Sequence, residues 1–99
     1  MLNQVIVVGR LTETPQIENG KVIITLAVPR SYKNQEGEYE TDFISFTTME
    51  GIASNVVEYC KKGDIIGVKG RTQSTKMASG YSLELVAEKI TFLSSKRED

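Results

Sequence analysis

The chain has 99 residues, of which 39% are hydrophobic and 25% are charged, and its formal net charge is −1. This length predicts one domain with one modest core, and the charge means that any binding to nucleic acid has to rest on a local patch or on stacking. The absence of histidine excludes Ser–His and Cys–His triads and the usual zinc ligand, and the single cysteine, Cys60, excludes an internal disulfide.

The amino terminus predicts that the protein stays in the cytoplasm. Residues 1–4 lack the basic start and long apolar stretch of a signal peptide. No segment approaches the ~20 apolar residues of a membrane span. We therefore expect a soluble cytoplasmic protein without a cofactor or a metal.

The first predicted strand begins at residue 5. Residues 5–8 are β-branched and apolar on both faces, which predicts a fully buried strand running to about Thr12. Pro15 and the pair Asn19-Gly20 predict turns.

The second predicted strand covers residues 21–28. Its apolar residues share one parity: Val22, Ile24, Leu26 and Val28. Pro29 predicts an edge or bulge position near the end of this strand, and a turn is expected at 34–37.

The third predicted strand, residues 39–49, has two different faces. Ile44 and Phe46 share the parity of a core face. The opposite face combines a ring and a thioether with hydroxyls, in Phe43, Ser45, Thr47 and Met49.

Residues 51–62 have helical spacing. One apolar stripe is formed by Ile52, Val56 and the pair Tyr59/Cys60. The pair Lys61-Lys62 is placed in the last turn, with Gly63 at the C′ position.

Two more strands follow the helix, at 65–76 and 81–93, joined by a tight turn at 78–80. Ile66 and Val68 are expected to face inward. The outward parity holds Lys69, Arg71, Gln73, Thr75 and Met77, and the last strand has Leu83, Leu85 and Ala87 on one parity.

The order of these elements predicts the fold. Three strands, a helix and two strands are the arrangement of the OB-fold, an all-β, five-stranded antiparallel barrel with its one helix between strands three and four. We expect one domain over residues 1–93 and a short polar fray at 94–99.

Four of the seven aromatic residues lie within residues 31–49, interleaved with hydroxyls and charges. Single-stranded nucleic acid stacks its bases on rings with little regard to sequence, at roughly 1–3 kcal/mol per base. A ring such as Phe43 on a polar strand face therefore indicates base stacking. The acidic residues of the same hairpin, Glu36, Glu38, Glu40 and Asp42, are interpreted as a solvated face and not as a metal or acid–base cluster.

Several segments resemble the bacterial single-stranded DNA-binding protein family in order and spacing. They are "MLNQVIVVGRLTETPQI", "DFISF", "IASNVVEYCKKGDIIGVKGR" and "LVAEKITFL", and the likeness spans almost all of residues 1–93. It implies an OB-fold that coats single-stranded DNA at sites of replication, recombination and repair. It also implies a homotetramer built as a dimer of dimers, and no enzymatic activity.

The resemblance also implies roles for individual residues. The family's stacking positions fall on Tyr32, Phe43, Met49 and Met77, and its phosphate-facing positions fall on Arg30, Lys33, Lys62, Arg71 and Lys76. Tyr39 and Tyr81 are further candidates for DNA contacts. The family's acidic tail, which recruits replication and repair proteins, has no counterpart in this sequence.

Alternatives stay open at this point. Phe43 could be a subunit-interface ring, Tyr32 a loop-edge residue, and the two methionines packing residues. The rival functions are a dimeric primosome-type interaction module with secondary DNA binding and an RNA-binding OB domain.

Overall fold

Strands dominate the structure, a computed structural model that describes residues 1–48 and 50–95. The elements are β1 (Val5–Leu11), β2 (Gln16–Glu18), β3 (Lys21–Lys33), β4 (Tyr39–Thr48), α1 (Glu50–Tyr59), β5 (Ile65–Met77) and β6 (Gly80–Ser94). The predicted strands and the predicted helix are all present. The three-residue β2, which pairs with the start of β3, was not predicted.

The five long strands close into a barrel. Their order is β1-β5-β6-β4-β3, and β1 pairs again with β3, with Arg10 opposite Ala27. The predicted fold class is confirmed, with one difference. The β4–β6 pairing, in which Thr47 lies opposite Val86, is parallel and not antiparallel.

The core follows the predicted strand parities. Val22, Ile24, Leu26 and Phe46 are each at most 1% exposed, which confirms the inward faces of β3 and β4. The helix α1 covers this core, and Cys60, directly after it, is buried. Its burial raises the pKa of the Cys60 thiol.

The strand β1 is half-buried, so the expectation of a fully buried strand is wrong for one chain. Only one of its faces can meet the core, and Ile6 and Val8 on the other face are 69% and 52% exposed. Gly67 lies beneath Val8 and Leu93, since a Cβ there would be 3.6 Å and 3.7 Å from their side chains. We call Ile6, Val8 and Leu93 the apolar patch.

The helix ends earlier than its sequence predicts. It stops at Tyr59, so the predicted helical last turn with Lys61-Lys62 is wrong. The carboxylate of the buried Asp64 accepts a hydrogen bond from the Lys61 amide at 2.9 Å, and the Asp64 amide donates to the Lys61 carbonyl at 3.0 Å. This turn competes with further helix, and Gly63 supplies its positive φ of 93°.

A β-bulge interrupts the pairing of β5 with β6. Lys69 lies opposite Lys89 and Gly70 opposite Ala87, so Glu88 is the extra residue of β6. A Cβ on Gly70 would lie only 2.2 Å from the Val86 carbonyl oxygen. Only glycine fits this approach, and the bulge reverses the inward parity of β6 beyond it.

Within the described residues, no helix has the length and apolar character needed to cross a membrane. The same residues contain no group of three or more His, Cys, Asp or Glu side chains placed to hold a metal ion. The predicted polar fray begins at Ser94, which is the last residue of β6. Residues 96–99 of this predicted fray lie outside the described residues.

Candidate nucleic-acid interface

One face of β3 and β4 points away from the core and carries a ring among hydroxyls. Phe43 is 67% exposed. Ser45, the next outward residue of β4, shares a 2.8 Å hydrogen bond with the hydroxyl of Thr25 on β3. Ile23, farther along β3, is 40% exposed. The predicted parity of residues 43–47 is therefore confirmed.

A chain of side-chain hydrogen bonds extends this face from β4 across β6 to β5. The Thr47 hydroxyl donates to the carboxylate of Glu84 at 3.1 Å, and the Gln73 amide donates to the same carboxylate at 3.3 Å. Arg71 donates to the Gln73 side-chain oxygen at 3.0 Å and lies 3.5 Å from the carboxylate of Glu88. These bonds make one continuous polar surface, which we call the outer face.

The tip of the β3–β4 hairpin places two exposed tyrosines beside this surface. Tyr39 is 59% exposed and Tyr32 is 64% exposed. Tyr39 lies opposite Lys33 in the strand pairing, and the Lys33 ammonium is 5.7 Å from the centre of its ring. The turn between the strands is organised by Asn34, whose side-chain oxygen accepts hydrogen bonds from the amides of Glu36 and Glu38.

The β5–β6 hairpin separates two of the predicted contact residues. Met77, which is 53% exposed, has the same parity as Gln73 and therefore lies on the outer face. Tyr81, which is 73% exposed, pairs with Lys76, and both have the opposite parity. Met77 and Tyr81 therefore lie on opposite sides of the β5–β6 hairpin.

Arg30 is already paired within the protein. Its Nε and Nη2 donate to the Asp42 carboxylate at 2.8–3.2 Å, and its Nη1 donates to the Glu40 carboxylate at 2.7 Å. The hydrogen bond with Asp42 is the main cause that raises the pKa of Arg30 and lowers the pKa of Asp42. Glu40 and Asp42, two of the acidic residues that were predicted to form a solvated face, are therefore both paired with Arg30.

Lys62 lies near the first residues of β3, at the opposite end of this strand from the β3–β4 hairpin. Its amide donates to the Thr14 hydroxyl at 3.4 Å. Thr14 lines a shallow cleft together with Glu13, Gln16, Ile23 and Thr25. Because Ile23 and Thr25 belong to the outer face, Lys62 stands beside one end of that face.

The structure places three of the predicted site residues on the outer face and four more, Tyr32, Lys33, Tyr39 and Lys62, beside it. Phe43, Arg71 and Met77 lie on the outer face, and Met49 lies outside the described residues. Sequence reasoning missed Ile23 and Glu84 as members of this face. The alternation of β3 was the signal for Ile23, whereas nothing in the sequence placed Glu84 opposite Thr47.

The comparisons with known proteins agree with this geometry. The model of the single-strand binding protein family matches residues 2–93. The chain belongs to that family. This membership confirms the predicted family resemblance, and the family consists of DNA-binding proteins that are not enzymes.

Relatives from several bacteria align along nearly the whole chain. It is 40% identical to single-stranded DNA-binding protein B of Bacillus subtilis, over 97% of this chain and 94% of that protein. It is 39% identical to single-stranded DNA-binding protein 3 of Listeria innocua, over 98% of this chain and 67% of that protein. The chain also spans 62% of Bacillus subtilis single-stranded DNA-binding protein A, with 41% identity.

A solved structure supports the fold independently. The Plasmodium falciparum SSB in complex with ssDNA superposes with a TM-score of 0.73, covering 94% of this chain and 96% of that one. Because the sequence identity is 21%, this likeness bears on the fold alone, and it agrees with the closed barrel described above.

Proposed function

We propose that this protein binds and coats single-stranded DNA with little sequence preference. The observation that carries this proposal is Phe43, a ring 67% exposed on a barrel face lined mainly with polar side chains. A base stacked on such a ring replaces water on both apolar surfaces. Family membership supports the same function. Tyr32, Tyr39 and Met77 supply further stacking surface along the path, and Met49 is proposed at the family's remaining stacking position.

The phosphates of the bound strand contact scattered basic residues. Lys33 stands at the hairpin tip, Arg71 on the outer face, Lys62 beside its far end, and Lys76 around the edge of the β5–β6 hairpin, where Tyr81 is a further candidate for a DNA contact. With a formal net charge of −1, few phosphates are neutralised. Each neutralised phosphate contributes about −0.7 to the slope of log K against log salt concentration. We therefore expect binding to weaken only gradually as salt is added.

The function is tested by titrating fluorescently labelled oligo-dT and the matching duplex at several salt concentrations. Strong binding to oligo-dT and weak binding to duplex are expected, with oligo-dC and mixed sequences close to oligo-dT. Competition by oligo-U separates this function from that of an RNA-binding domain. Equal affinity for duplex and single strand would refute the proposal.

The matched control for the stacking contact is Tyr59, a second ring 65% exposed on the surface of α1. Tyr59→Ala removes a comparable exposed ring from α1, outside the strands that form the outer face, so it is expected to leave oligo-dT affinity unchanged. Phe43→Ala removes a ring from the path, so it weakens binding.

We further propose that the chain assembles through the apolar patch into a dimer and then into a homotetramer. Ile6, Val8 and Leu93 are 51–69% exposed in one chain, and a second copy covers them across a two-fold axis. Native mass spectrometry is expected to show four chains of 11.0 kDa, about 44 kDa in all. A dominant dimer would instead favour a primosome-type interaction module.

The place of action follows from the proposed ligand. Single-stranded DNA is exposed in the cytoplasm, at the nucleoid and replication forks, during replication, recombination and repair, and we propose that the protein acts there. Contacts to replication and repair proteins are proposed only for a chain that carries an acidic tail.

A further inference from the structure

The pairing of β3 with β4 is irregular next to the exposed rings. Pro29 lies opposite Thr41, and the next pair joins Lys33 to Tyr39, so residues 30–32 face the single residue Glu40. Backbone hydrogen bonds between the strands are interrupted there. Backbone pairing resumes only at Lys33 and Tyr39, so side chains that bridge the bulge contribute to the orientation of the hairpin beyond it.

Arg30 crosses this irregular region. We propose that Arg30 is a positioning residue for single-stranded DNA binding: by holding Glu40 and Asp42 across the bulge it fixes the direction of Tyr39, whereas Phe43 is already held by its regular pairing with Ala27. The inference rests on the proposed function, and it gives Arg30 a different role from the phosphate contact that the family resemblance implies.

The geometry of the guanidinium supports this role. Three of its nitrogens donate to two carboxylates at 2.7–3.2 Å. A planar fork that binds one carboxylate through two nitrogens fixes direction as well as distance. Glu40 is held from its other side by the Asn34 side-chain amide at 3.1 Å, so the clamp also joins the turn.

The alternation of β4 connects this clamp to the rings. Glu40 and Asp42 have one parity and Tyr39, Thr41 and Phe43 have the other. Holding Glu40 from both sides fixes the backbone at the bulge, directly beside Tyr39. The Tyr39 ring on the opposite side is then held in one orientation before a base arrives, which lowers the entropy lost on binding.

The variant Asp42→Asn is expected to change the affinity for oligo-dT in opposite directions under the two roles of Arg30. If Arg30 contacts a phosphate, loss of the competing carboxylate frees it, so oligo-dT binding tightens and the salt slope steepens. If Arg30 positions the Tyr39 ring, Asp42→Asn opens the clamp. The affinity for oligo-dT then falls about tenfold, the size of one base–ring contact, while the slope of log K against log salt stays constant. Tightening would overturn the proposal.

Two substitutions of Arg30 give a second criterion. Arg30→Lys keeps the charge but loses the fork, and Arg30→Gln loses both. A positioning role predicts that both variants weaken binding to a similar extent at constant slope. A phosphate contact predicts that Arg30→Lys binds nearly as the parent does, and that Arg30→Gln flattens the slope by about 0.7.

Glu36→Gln is the matched control for Asp42→Asn. It removes one negative charge from the same hairpin, and among the described residues the Glu36 side chain forms no ion pair. Its affinity for oligo-dT is expected to stay within twofold of the parent or to rise slightly. If Glu36→Gln and Asp42→Asn change binding alike, only net charge matters and the proposal is wrong.

Amide hydrogen exchange of the free protein tests the clamp without DNA. Arg30→Gln is expected to speed exchange at residues 39–43 and to leave the barrel unchanged. Unchanged exchange there contradicts the positioning role even if DNA binding is intact. Faster exchange together with absent oligo-dT binding by the parent instead contradicts the proposed function alone. Circular dichroism confirms the fold of each variant, and Glu40→Gln replaces Asp42→Asn if that variant unfolds.

Discussion

Phe43 and Phe46 lie three residues apart on β4, and the same substitution is expected to act on different properties at the two positions. Phe46 is 1% exposed and Phe43 is 67% exposed. Phe46→Ala leaves a cavity in the core, at a cost of about 3–5 kcal/mol. Because domains of this size are stable by only about 5–15 kcal/mol, a large part of the folding free energy is lost.

Phe43→Ala removes little buried surface, so the free energy of unfolding is expected to change little. Its effect falls on the bound state, where a base loses its stacking partner at roughly 1–3 kcal/mol. Since about 1.4 kcal/mol corresponds to a factor of ten, the dissociation constant for oligo-dT rises about fivefold to 150-fold.

Two measurements separate these effects. Urea unfolding followed by far-ultraviolet circular dichroism gives the free energy of unfolding, and anisotropy of labelled oligo-dT gives the affinity. The reasoning is refuted if Phe43→Ala unfolds the protein while its folded fraction binds normally. It is refuted equally if Phe46→Ala leaves stability intact.

Three further predictions concern other parts of the molecule. Met77→Trp adds a ring on the outer face, so it should tighten oligo-dT binding at constant salt slope, and DNA should quench its fluorescence; an unquenched signal would place the strand elsewhere. A carbon-13 titration should show the pKa of Asp42 below that of an ordinary aspartate, with Arg30→Gln restoring it. The Arg30–Asp42 pair then stabilises the fold fully above the pKa that Asp42 has in the unfolded chain. This stabilisation is lost as the pH falls through the lower pKa that Asp42 has in the folded protein. Ile6→Asp should yield smaller assemblies in native mass spectrometry, whereas Ile23→Asp, on the outer face, should leave the assembly unchanged.

The barrel was predictable because its strands carry a strong alternation. Val22, Ile24 and Leu26 are apolar at every second position, and each is at most 1% exposed. The same rule assigned Phe46 to the core and Phe43 to the surface. Such periodicity is local, so it can be read without knowing which strands pair.

Features that depend on particular hydrogen-bonding or pairing partners, and not on periodicity, were not predictable. The helix ends at Tyr59 because Asp64 binds the Lys61 amide, and helical spacing alone gives no sign of this competition. The family resemblance assigned Arg30 to phosphate, and its pairing with Glu40 and Asp42 was not predicted, because only the register of β3 against β4 across the bulge brings these residues together. The exposure of Ile6 was not predicted, because the two-sided apolar pattern of residues 5–8 gives no sign that only one face of β1 meets the core.

The bulge at Glu88 determines where the gene tolerates the deletion or insertion of a codon. Substitutions at this position alter one side chain near Arg71, but a one-codon deletion removes the extra residue that separates the two halves of β6. Every residue from 81 to 87 then changes sides, so Leu85 and Ala87 turn toward water and Glu84 turns toward the core. An added codon in the Ala78-Ser79 turn disturbs no such alternation. Length variants should therefore survive at the turn and be lost at the bulge.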